Sequence, residues 1–291
     1  MPVQVATTGD LENAQRIMLS MARYTEEHNA PCANLIEGFR LGQGEKQVTV
    51  PKVGQMTAND LTDGVDMVDS EDIGMTTTDL TSAEVGFKVI LTDKLIRQAN
   101  DNVMRMVGRQ MGDGMARKED RDVIALFSAL NGGTTLGADN ASFTARNAGA
   151  CIAHAKANKF GSPMFVVHHP NAIYALTSSM STVGATASAA IPSGPSADLL
   201  KDFYRVTLNQ VPFYEDGNID KISGVDSGYG VIANRGAMAI LRSMEASTRP
   251  QRDESLRAWE VNVVADYGVF ELDDTRGAPL RYEIGDLATN N

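Results

Sequence analysis

The sequence predicts an α+β fold with a projecting arm, and three observations carry that expectation. Two alternating polar–apolar stretches, Lys46–Pro51 and Glu84–Leu91, bracket a polar and acidic segment of more than 30 residues. Directly after the second stretch comes the longest helical pattern in the chain, Thr92 to about Leu130. Near the C-terminus, Trp259–Leu272 is the longest strand candidate. Strands and helices are thus segregated along the chain rather than strictly alternating, which is the pattern of an α+β arrangement.

The first element expected is a helix over Asp10–Glu27. Leu11, Ala14, Ile17, Met18, Met21 and Ala22 fall on one face, and Asp10 is placed to cap it. His28-Asn29-Ala30-Pro31 ends it, because proline cannot continue a helix and disfavours the helical region in the residue before it. The segment between the two bracketing strands is too long for an ordinary connection and is expected to be functional.

That segment also carries most of the charge. The chain of 291 residues has 37 acids against 26 bases, a formal charge of −11. From Val53 to Phe87 there is no Lys or Arg, yet Asp60, Asp63, Asp66, Asp69, Glu71, Asp72, Asp79 and Glu84 all lie there. The rest of the chain is close to neutral. A nucleic-acid binder with a basic face is disfavoured, whereas an acidic loop that repels itself and orders against a basic partner surface fits.

The long helix has an apolar stripe of Leu95, Ile96, Ala99, Val103, Met106, Val107, Met111, Ile124 and Phe127. On another stripe every fourth residue is charged: Arg97, Asp101, Arg105, Arg109, Asp113, Arg117 and Arg121. The like-charged neighbours Arg105–Arg109 and Arg117–Arg121 invite carboxylates from elsewhere. Gly108, Gly112 and Gly114 predict a bend, and Asn131-Gly132-Gly133 an end.

Beyond it, Thr144 to about Ala157 reads as helix and Pro163–His168 as a short buried strand. Pro170 opens a helix reaching about Ser179, since its fixed φ suits the first turn. Ser181–Pro195 is small, uncharged and low in complexity, and is expected to be a loop. Val211–Glu215, Tyr229–Ala233 and Ala237–Leu241 are strand candidates. Asp273–Gly277 is expected to turn the long strand 259–272 back on itself through Leu280–Ile284, closing a hairpin.

Chemistry is sparse. No phosphate-loop motif occurs, and Gly224-Val225-Asp226-Ser227-Gly228 has the wrong spacing for a nucleophile elbow. His168-His169 at a strand–helix junction is the one arrangement that could serve a metal or a ligand, without the spacing of a zinc motif. The aspartates at every third position lack the spacing of a calcium loop. Cys32 and Cys151 are expected to be buried reduced thiols. No apolar run reaches the roughly 20 residues of a membrane span, and no signal peptide is recognisable at the start, so a soluble protein made in the cytoplasm is expected. No catalytic constellation, cofactor site or metal site is expected.

The order of these parts resembles the major capsid proteins of tailed bacteriophages, the Hong Kong 97-type fold. The resemblance rests on VGFKVILTDKLI at 85–96, RKEDRDVIAL at 117–126, PMFVVHHPNAIYAL at 163–176, and Val211–Tyr214 followed by Gly228–Ile240. It implies an N-terminal arm with its amphipathic helix at 1–41, an extended loop at 42–91, and the spine helix with the start of the peripheral domain at 92–143. An axial domain at 144–239 and peripheral-domain strands with the C-terminus at 240–291 complete it.

The resemblance further implies a shell of hexamers and pentamers around double-stranded DNA, assembled in the host cytoplasm and found in the virion. The partners implied are other copies of the chain, a separate scaffolding protein, a portal and a decoration protein, with no membrane. Lys46 and Lys52 lie in the strand, the loop tip has no Lys, and Asn262 is the only Asn of the long closing strand, so a covalent crosslink is not expected. The contact expected between subunits joins Asp60, Asp63, Asp66, Asp69 and Asp72 to Arg97, Arg105, Arg109, Arg117 and Arg121 of a neighbour. Two alternatives stay open: an encapsulin-type protein nanocompartment, and a soluble α/β ligand-binding protein or enzyme using His168-His169.

Overall fold

The computed structural model describes residues 32–42, 44–53, 60, 74–98, 101–130, 134–185 and 206–286. The helix expected over 10–27 and most of the acidic tip lie outside these residues. A short helix α1 (Cys32–Leu35) leads into β1 (Glu37–Arg40), β2 (Val48–Lys52), β3 (Thr76–Leu80) and β4 (Ala83–Thr92). Then follow helices α2 (Asp93–Gln98) and α3 (Asp101–Leu126), strand β5 (Leu136–Gly137), helix α4 (Ala145–Ala157), strand β6 (Met164–His168) and helix α5 (Pro170–Ala185). The remaining strands are β7 (Val206–Leu208), β8 (Val211–Glu215), β9 (Ser227–Asn234), β10 (Met238–Asp253), β11 (Ala258–Glu271) and β12 (Gly277–Glu283).

Three sheets result. A four-stranded sheet runs β1-β10-β11-β4, a six-stranded sheet runs β5-β12-β9-β6-β8-β7, and β2 pairs only with β3. The bracketing strands therefore form where alternation predicts them, but not as one hairpin. β2 closes on β3, while β4 turns away to the edge of the four-stranded sheet, with Val263 opposite Phe87.

The long helix is α3, of 26 residues and about 39 Å at 1.5 Å per residue. It continues through Gly108, Gly112 and Gly114 without interruption and ends at Leu126 rather than near 130. Its apolar stripe lies on the four-stranded sheet: Val107, Met111 and Met115 share the core with Val85, Val89, Val263, Ala265 and Tyr267. Further along, Val123, Phe127 and Leu130 reach the core of the six-stranded sheet with Phe143, Val166, Phe213 and Ile232. The helix and the turn that follows it thus run along the continuous core beneath both sheets. Polar clamps fix its position: Arg242 Nε of β10 donates to Glu119 Oε1 at 3.1 Å, and Tyr267 Oη of β11 donates to Asp122 Oδ2 at 2.8 Å.

Local signals hold elsewhere. Thr144 caps α4, its side chain accepting from the Asn147 N–H, and Pro170 is the first residue of α5. The helix α5 runs on to Ala185, however, so residues 181–185 are helical where a loop is expected. Ser181-Thr182-Val183-Gly184-Ala185 holds a single alanine, so the helix there continues turns already nucleated upstream rather than following local propensity.

The closing hairpin is the main correction. The partner of β11 is β10, a 16-residue strand in which the stretch after Leu241, Arg242–Asp253, is polar and exposed enough to lack strand periodicity. Residues 277–283 pair instead with β9, Leu280 opposite Gly230, in the other sheet. Asp273 caps a single helical turn at Asp274–Arg276 that redirects the chain. The reason is burial: Gly277, Ala278, Pro279 and Leu280 are all covered, a both-sided burial that only an inner strand supplies. The six-stranded sheet therefore takes β5 and β12 from outside 144–239, and the stretch 240–291 is divided between two sheets. Likewise β1, within 1–41, is a strand of the four-stranded sheet, parallel to β10.

Candidate functional site

The β2–β3 hairpin is the first feature without a complete environment. Its only sheet partner is itself, and among its residues Leu80 alone is fully buried. A small separate core holds its base: Leu80 packs with Ala239 and Leu241 of β10, joined by Phe39, Leu41, Val48, Val50, Phe270 and Leu272. Lys52 Nζ donates to Asp273 Oδ1 at 2.6 Å, tying the end of β2 to the chain-reversing turn. Burial of Asp273 opposes ionisation, but bonds from Lys52 and Thr275 hold its carboxyl below the usual range. Beyond this base Val53 and Met75 are exposed, at 57% and 61%. Two strands alone in water are marginally stable, and the described residues of this subunit cover only the base of the hairpin.

Of the expected contact residues, Asp60 is exposed, and Asp63, Asp66, Asp69 and Asp72 lie outside the described residues. Arg97 is exposed at the end of α2, its Nε donating to Asp93 O at 3.2 Å. Arg109, Arg117 and Arg121 are exposed along α3, and Arg121 pairs with Asp220 at 3.3 Å. Arg105 lies in α3, and its side chain is outside the description. The described arginines of this stripe therefore face away from the core.

His168 lies inside the core rather than open at the strand–helix junction. It is fully buried, 5.6 Å from the Phe143 ring, with Nδ1 accepting from the His169 N–H. Burial, with the neighbouring His169, lowers its pKa to about 3, so the ring is neutral. His169 Nδ1 accepts from Asn171 N at 3.2 Å, which completes the start of α5. Cys151 is buried against Tyr282 Oη at 3.3 Å, and no disulfide joins it to Cys32.

Sequence reasoning misses one cluster. Cys32, Asp120 and Asp216 come from α1, α3 and the turn after β8, and all are buried. Asp120 Oδ1 accepts from Cys32 N at 3.1 Å, and Asp120 Oδ2 from Asn218 Nδ2 at 3.0 Å. Asp216 Oδ2 accepts from the Cys32 thiol at 3.0 Å, and its Oδ1 from Asn218 N at 2.8 Å. Burial, then the bond and charge of Asp216, push Asp120 up to about 7. Burial and both carboxylates raise Cys32, so the thiol stays protonated. No local signal marks Asp120, which sits in a run of charged residues, Arg117–Asp122, that reads as a solvated face.

Among the described residues, no cluster assembles a nucleophile, a base and an orienting group. What the described residues present is a body of two sheets with a hairpin covered only at its base, an arrangement that fits a shell-building protein with the Hong Kong 97-type fold. The model of the family described as phage capsid protein matches residues 75–279, and the chain belongs to that family. It is a major capsid protein, a structural component of the virion shell.

Solved structures share the fold. A chain from Mycobacterium phage Che8 superposes with a TM-score of 0.66 at 18% identity, over 86% of this chain and 90% of that one. The cyanophage Pam1 capsid gives 0.66 at 12% identity over 92% and 98%. The holo-SrpI encapsulin complex of Synechococcus elongatus gives 0.63 at 14% identity over 96% and 98%. No curated protein sequence matches the chain.

Proposed function

We propose that this chain assembles into hexamers and pentamers of an icosahedral shell around double-stranded DNA, in the host cytoplasm, with a separate scaffolding protein, a portal and a decoration protein. The observation that supports this reading is the β2–β3 hairpin, whose Val48, Val50 and Leu80 face a small core while Pro51, Lys52, Thr76 and Thr77 beyond it are exposed. A neighbouring subunit is the natural source of the missing surface. In this reading residues 42–91 are the extended loop, and 92–143 carry the spine. Residues 144–239 form the axial domain with β12 added to its sheet, the peripheral strands come from 240–271, and 1–41 are the arm.

The acidic loop then lies over basic side chains of the adjacent subunit. Asp60, Asp63, Asp66, Asp69 and Asp72 meet the stripe Arg97, Arg105, Arg109, Arg117 and Arg121. A near-neutral body suits a DNA container, because a strongly basic lining would hold phosphates too tightly to let them pack.

Electron microscopy of the protein expressed alone and with its neighbouring genes tests this reading. Closed particles that contain DNA in the second case are expected. A monodisperse 31.2 kDa monomer under every condition would overturn it. Particles filled with a protein cargo would favour the nanocompartment reading, which the likeness to the SrpI encapsulin supports at the level of fold.

A further inference from the structure

The cluster of Cys32, Asp120, Asp216 and Asn218 has a feature that shell geometry does not require. Two carboxylates with oxygens within 4.8 Å of the thiol and of each other are buried together. Every bond to them that crosses between elements comes from a neutral N–H or S–H donor. Buried charge without a counter-ion is strongly disfavoured.

Among the described residues, the cations on surrounding elements are engaged elsewhere or point outward. Arg121 pairs with Asp220, Lys118 with Asp122, Arg242 with Glu119, and Lys221 with Asp226. Arg117 is exposed on α3. The other titratable groups on the elements packed here are Glu37, Glu215, Tyr267 and His168, none of which brings a positive charge, since His168 is neutral. His168 contributes instead its carbonyl oxygen, which accepts from Asp216 N at 3.1 Å.

We propose that Asp120 holds a proton directed at Asp216, and that this proton fastens residues 32–36 onto the long helix and the turn after β8, making attachment of this part of the N-terminal arm depend on pH. The proton removes one of two like charges and supplies a donor between the carboxyls, so that Asp120 stays aimed at Cys32 N and Asp216 at the thiol. Cys32 and Ile36 are 1% and 2% exposed, and both sit in the core shared with α3, so the fastening controls buried apolar surface as well as the bonds themselves. The sign follows from the raised value of Asp120. Its contribution is complete below the ordinary carboxyl value of 3.8, declines as pH rises, and is lost above about 7. His168 titrates with the opposite sense, because its lowered pKa weakens the fold on acidification. Loosening on alkalinisation therefore cannot come from it.

Hydrogen–deuterium exchange of the full chain, corrected for intrinsic rates, tests this at about pH 5 and about pH 8.5. Amide protection over residues 32–36 is expected to fall roughly 10-fold or more at the higher pH. In Asp216→Asn, which removes one charge permanently, the fall is expected to disappear. Infrared difference spectra of the unsubstituted chain provide a check that does not depend on the variant folding, because a protonated buried carboxyl should be visible at neutral pH. Equal protection at both pH values, a pH response kept by Asp216→Asn, or no protonated carboxyl would each overturn the proposal. So would a stoichiometric divalent metal in the purified chain, since a cation would then replace the proton. None of these results depends on whether the particle holds DNA or protein.

Discussion

Lys52 Nζ lies 2.6 Å from Asp273 Oδ1, and that bond joins the projecting hairpin to the turn that sends the C-terminal strand into the second sheet. Asp273 is buried and also accepts from Thr275 N and Oγ1 and from Arg276 Nε. Asp273→Ala is expected to destabilise the chain by about 2–3 kcal/mol in urea unfolding, because it removes a hub of charge-assisted bonds. Lys52→Met should cost about 1 kcal/mol or less, since the lysine is 45% exposed. The stability that Asp273 contributes is present above its ordinary value of 3.8 and is lost as pH falls through its lowered value in the folded chain.

Neutralising the acidic loop should weaken assembly and leave the subunit folded. Replacing Asp60, Asp63, Asp66, Asp69 and Asp72 together by Asn is expected to raise the critical concentration for assembly several-fold, at roughly 0.2–1 kcal/mol per lost pair. Light scattering across ionic strength checks this. The unsubstituted protein should lose assembly as salt rises, and the variant should respond far less.

Gly230 in β9 passes close to β6. A Cβ there would lie 2.4 Å from His168 Cδ2 and 2.5 Å from the Val167 carbonyl oxygen. Neither atom can retreat, since His168 is fully buried beside Phe143 and Val167 is in the sheet. Gly230→Ala is expected to cost about 1–3 kcal/mol or more through overpacking, read as a lower urea midpoint.

Phe143 touches His168, Phe213 and Tyr282 with ring centroids 5.6, 6.2 and 4.6 Å away. Phe143→Ala should cost about 3–5 kcal/mol, measured on unassembled subunits so that shell contacts do not mask the loss.

His168→Phe tests the acid response of the same core. The histidine, lowered to about 3, weakens the fold as pH drops from its ordinary 6.5 towards that value. The phenylalanine variant should unfold with a flatter dependence over that window, measured by thermal unfolding at a series of pH values.

Much of the fold is legible in local pattern. Alternation marks 84–91 because that strand is half covered by α3, and the caps at Thr144 and Pro170 depend only on neighbouring backbone. The stretch of β10 after Leu241 is not legible. Arg242–Asp253 is a strand because β11 pairs with it, not because its side chains alternate in burial. The destination of 277–283 is hidden for the same reason: a hydrophobic run states that it must be buried, not in which sheet.

The sequence by itself determined the concentration of acid between Val53 and Phe87, the long helix and most strand positions, because each depends on residue type and short-range spacing. Only the tertiary structure decided that β2 closes on β3, that β12 crosses to the six-stranded sheet, and that Asp120 is buried against Asp216. Those outcomes depend on contacts between residues far apart in the chain, such as the 88 positions separating Cys32 from Asp120. One acid in a run of charges differs from its neighbours only in what the rest of the chain folds over it.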